Sequence, residues 1–82
     1  MRRSSRSEIA QYMSIARLGL NQARRMVAKH RDYAACRGAV ISFGRASELV
    51  GKVYELAGDR PRVLRSRAAS TAEYIAKRCS RK

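Results

Sequence analysis

Three successive stretches of this chain carry apolar residues at alternating steps of four and three, and that rhythm restricts the fold more than any other feature. Ile9, Met13, Ala16, Leu20, Ala23 and Val27 form the first series. Ala39, Phe43, Ala46, Val50, Val53 and Ala57 form the second, and Leu64, Ala68, Thr71, Ala72, Ile75 and Cys79 fall on one face of a third. At 100° per residue each series is a single stripe along an α-helix. A stripe must be covered, so the three helices cover one another.

The punctuation between the stripes agrees. Ser5 and Glu8 fit a capping box ahead of the first apolar residue, and Asp32 suits the N-cap of a second helix. Gly58 suits its C-terminal stop, and Pro61 is tolerated in the first turn of a third helix. The links are short, so sequential helices lie antiparallel. The expected fold is all-α: a small antiparallel three-helix bundle with helices at about 6–30, 33–57 and 61–79, possible as a dimer. One helical domain spans 1–82, with frayed basic termini at 1–4 and 80–82.

Cys36, Leu49, Tyr54 and Leu56 widen the apolar arc of the second helix, which therefore touches both neighbours. Gly38 is a place where that helix can kink, and Gly44 and Gly51 share a face that invites close approach of another helix. At 82 residues a fold buries only about 60–65% of the surface its unfolded chain exposes. Such a core is small, which favours self-association or docking on a larger partner.

Nineteen basic residues against six acids give a net charge of +13. Residues 1–31 hold eight basic residues and one acid, 32–59 three and four, and 60–82 eight and one. Two basic arms thus flank a nearly neutral middle, and a field of this size draws polyanions. Arg outnumbers Lys fifteen to four, and the guanidinium fork suits phosphate or carboxylate.

Catalytic chemistry finds little to use. His30 is the single histidine, and the acids read as caps or as i,i+4 partners such as Glu48 with Lys52. The chain has no Gly-rich phosphate loop, no CxxC and no HExxH, so no enzyme and no cofactor are expected. His30, Cys36 and Cys79 match no usual zinc spacing. An up-down-up bundle places Cys36 and Cys79 at the same end as a possible pair. No apolar leader or membrane-length run appears, so a cytoplasmic setting with reduced cysteines is expected.

The stretch 7–27, "SEIAQYMSIARLGLNQARRMV", places small and apolar residues where a turn near Ser14 and Ile15 would divide two short helices. It resembles the helix-turn-helix of many small bacterial and phage regulators. That resemblance implies a second helix on which Arg17, Asn21, Gln22, Arg24 and Arg25 meet base edges. An unbroken helix accounts for the same apolar residues with no turn, leaving only Leu18 on the solvent side. It also sets Arg17, Arg24 and Arg31 in a row about 21 Å long on one flank.

The function expected is binding of nucleic acid, duplex DNA above all, through Arg17, Asn21, Arg24, Arg25, Lys29 and Arg31 with Arg62, Arg65 and Arg67. Phe43 and Tyr54 sit in the core pattern, so no platform for stacking single-stranded bases is expected. The alternative is a small interaction protein, of the kind phages and mobile elements use, that sets the same arginines against an acidic surface of a larger host protein.

Overall fold

The computed structural model describes residues 6–58 and 62–80. It holds α1 (Arg6–Lys29), α2 (Tyr33–Ala57) and α3 (Arg62–Cys79), each packed against the other two. These bounds match the three stripes to within a residue. Ser5 and Pro61, the expected cap and first-turn proline, lie outside the described residues, as do 1–4 and 81–82. Ser80 follows α3 and is exposed.

α1 is continuous through Ser14 and Ile15. No turn divides it, so the helix-turn-helix is absent and the unbroken stripe holds. Ala16, Leu20, Ala23 and Val27 are buried on that stripe, while Leu18 faces solvent. α2 is likewise continuous through Gly38. Asp32 caps it, its Oδ1 accepting the Ala35 N–H at 2.8 Å. At the other end Gly58 takes φ +70°, where a side chain is strained, and its N–H donates to the Tyr54 carbonyl at 2.8 Å.

The core is built from small side chains in two linked clusters. Ala16, Leu20, Ala46, Val50 and Leu64 make one; Ala23, Val27, Ala39 and Ile75 make the other, and Phe43 packs against both. Thr71 is fully buried, and its hydroxyl is satisfied by donating to the Arg67 carbonyl one turn earlier at 2.8 Å. Every buried side-chain polar atom among the described residues has a partner.

The closest helix approach is at a glycine the stripes do not mark. A Cβ on Gly19 of α1 would lie 2.9 Å from the Cβ of Ala46 on α2, and Ser42 donates its hydroxyl to the Gly19 carbonyl at 3.0 Å. Gly44 and Gly51, which share the expected contact face, have nothing within 4 Å of a built Cβ. Nor does the wide apolar arc of α2 find cover throughout: Val40, Ile41 and Leu56 remain exposed.

Cys36 and Cys79 are joined by a disulfide, with Cα atoms 6.0 Å apart. The up-down-up topology brings the start of α2 and the end of α3 together, as geometry requires. The expected free thiols are absent, and the bond staples the C-terminus of α3 to the hairpin.

Candidate nucleic-acid interface

α1 and α3 are each antiparallel to α2 and hence parallel to one another. Both C-termini therefore arrive at one end of the bundle, bringing unsatisfied carbonyls and the negative ends of two helix dipoles together. Two arginines answer this. Arg78 of α3 donates from Nε to the Val27 carbonyl at 3.0 Å and from Nη2 to the Ala28 carbonyl at 2.9 Å, capping α1. Arg31 returns the contact, its Nε donating to the Arg78 carbonyl at 3.1 Å.

One and a half turns back along the seam, Arg24 donates from Nη2 to the Ser70 hydroxyl at 3.1 Å and lies 4.7 Å from the centroid of the Tyr74 ring. These bonds fix the register of the parallel pair. Beyond them the seam opens into a groove of 470 Å³ lined by Arg24, Val63, Ser66, Arg67 and Ser70. Its flanks are basic and its floor is polar.

The nine sequence-expected contact residues separate into different places. Arg17, Arg25 and Lys29 are exposed on α1, Asn21 is half-buried there, and Arg67 is exposed on the groove side of α3. Arg17 lies 20° from Arg24 around α1 at 100° per residue, on the same flank. Arg65 falls on the opposite side of α3 from Arg67, where it donates to the Tyr54 hydroxyl at 3.1 Å and sits 5.1 Å from that ring. Arg62 is exposed at the start of α3. Arg24 and Arg31 are engaged internally, whereas Arg17, Arg25, Lys29, Arg62 and Arg67 are tied to no other described residue.

Arg78, Tyr74 and Ser70, which hold the seam together, go unremarked in the stripe reading. Their signal is topological: it needs the α1-to-α3 register, which no periodicity within one helix contains. Tyr54 packs at the edge of the core and beneath Arg65, so it offers no open ring.

Charge is segregated by helix. α1 carries five basic residues against one acid, α3 five against one, and α2 three against two. No group of three or more His, Cys, Asp or Glu side chains able to hold a metal occurs among the described residues, and no described helix is long and apolar enough to cross a membrane. Comparison with known protein families, characterised proteins and solved structures finds no match for this chain.

Proposed function

We propose that this protein binds duplex nucleic acid, DNA for preference, by setting the α1/α3 face against the phosphate backbone. The observation that supports this reading is the α1/α3 groove, flanked by Arg24 and Arg67 and edged by serine hydroxyls. Arginine forks and hydroxyls are the groups that most often donate to phosphate oxygens. Arg17, Arg25 and Lys29 extend the same positive surface along α1.

With α1 unbroken, no separate recognition helix projects from the bundle. Binding is then carried by phosphates, weakly selective for sequence and steeply sensitive to salt. Engagement of about five phosphates gives a slope near −4.5 in log affinity against log salt.

Fluorescence anisotropy with a short duplex at stepped salt tests the proposal. Arg17→Glu combined with Arg67→Glu should weaken binding at least tenfold, while Arg37→Glu on α2 should do far less. Affinity no better than that of a flexible polycation of equal charge would overturn it. Should a stoichiometric protein partner instead survive nuclease treatment of a lysate, with no duplex affinity, the acidic-surface reading would replace this one.

A further inference from the structure

The face of the α1/α2 hairpin turned away from α3 is an apolar groove of 590 Å³, and no described residue covers it. Its walls are large apolar side chains left in solvent: Ile15 is 52% exposed, Leu18 63%, Ile41 47% and Met26 37%. Its floor is low because Gly19 and Gly38 lack side chains where the two helices meet. Of all the charged residues in the chain, only Arg45 lines it.

From this we infer that the groove is a homodimer interface, occupied by the same groove of a second copy of this chain across a two-fold axis. A two-fold interface must be complementary to itself. This face presents protruding Leu18 and Ile41 beside depressions over Gly19 and Gly38, so one surface carries both the knobs and the holes. Charge selects the occupant. An acidic partner is drawn to α1 and α3 seam arginines, whereas this face offers it one cation.

A second copy needs no charge here, and pairing this face leaves the basic α1/α3 seam of each copy free. The strip runs about 17 Å from Ile15 to Met26 along α1 at 1.5 Å per residue, and Leu56, seven residues past Leu49, continues it on α2. Two helix faces of about 10 Å each give on the order of 500 Å² per copy, at the low end for specific interfaces. The dimer is therefore concentration-dependent rather than obligate.

Its salt response is opposite to that of phosphate binding. Two chains of +13 repel, so screening tightens the dimer. Sedimentation velocity on the full chain, freed of nucleic acid, tests this between about 10 µM and about 1 mM. The mass should rise from the 9.2 kDa monomer toward twice that value, more completely at high salt. Leu18→Glu with Ile41→Glu should hold the chain monomeric, while Val63→Glu, at a position 74% exposed on α3, should not.

Circular dichroism should show full helicity in both variants, since the altered residues already face solvent. A wild-type chain that stays monomeric throughout overturns the inference, as does a dimer unaffected by the double substitution. Growth past the dimer would refute the two-fold pairing. The double variant should keep its duplex affinity per subunit within about threefold if phosphate binding is right, so the two proposals fail separately.

Discussion

Removing the Cys36–Cys79 bond should destabilise this protein more than any single surface change. The bond closes a 43-residue separation. Chain-entropy reasoning for a loop of that length gives about 13 cal/mol/K, or about 4 kcal/mol at 25 °C. The helix it tethers has little else to hold it: of the side chains α3 buries, only Leu64 and Ile75 are large and apolar, accompanied by Thr71 and half-buried alanines. For 82 residues the unfolding entropy is about 170 cal/mol/K, so 4 kcal/mol corresponds to a fall in Tm of about 20 °C. Thermal melts of the oxidised protein, the reduced protein and Cys36→Ser with Cys79→Ser should show this shift, and amide exchange should accelerate first in α3. If reduction moves Tm by less than about 5 °C, α3 is held by packing alone, and the account of it as a tethered helix is wrong.

Gly19→Ala should cost about 1–3 kcal/mol despite its better helix propensity, because the new methyl meets Ala46 at 2.9 Å. Gly44→Ala meets nothing within 4 Å and should stabilise by up to about 1 kcal/mol; paired denaturant titrations read both signs. Asp32→Ala should cost about 1 kcal/mol through loss of the Ala35 cap. Arg78→Ala should lower Tm while leaving duplex affinity within about twofold, and Arg25→Ala should do the reverse, since Arg78 is committed to the α1 carbonyls and Arg25 is not.

What the sequence discloses here follows from what is periodic. The stripes through Leu20, Val53 and Ile75 fix helices, and Asp32 and Gly58 fix their ends, because stripe and cap act within a few residues of each other. Gly19 is silent by the same logic. Its meaning depends on Ala46 standing opposite, a fact about the pairing of two helices rather than about either one. The site divides similarly. Arg65 and Arg67 are 160° apart at 100° per residue, so their separation onto two faces was open to calculation. The withdrawal of Arg24 and Arg31 from the outer surface was not, since it depends on Ser70, Tyr74 and the Arg78 carbonyl arriving beside them. Counting charges therefore overstates the cations free to meet a partner.

The parallel placement of α3 beside α1 has a consequence for synthesis. α1 and α2 are joined by a tight link and fold locally, whereas α3 completes its contacts only after the last residues leave the ribosome. At 5–20 residues per second the eighteen residues of α3 take about one to four seconds to make. For that interval the hairpin displays Val27 and Val53 to the cell, and the basic N-terminal arm, already translated, is the means by which nascent chains on one message keep apart.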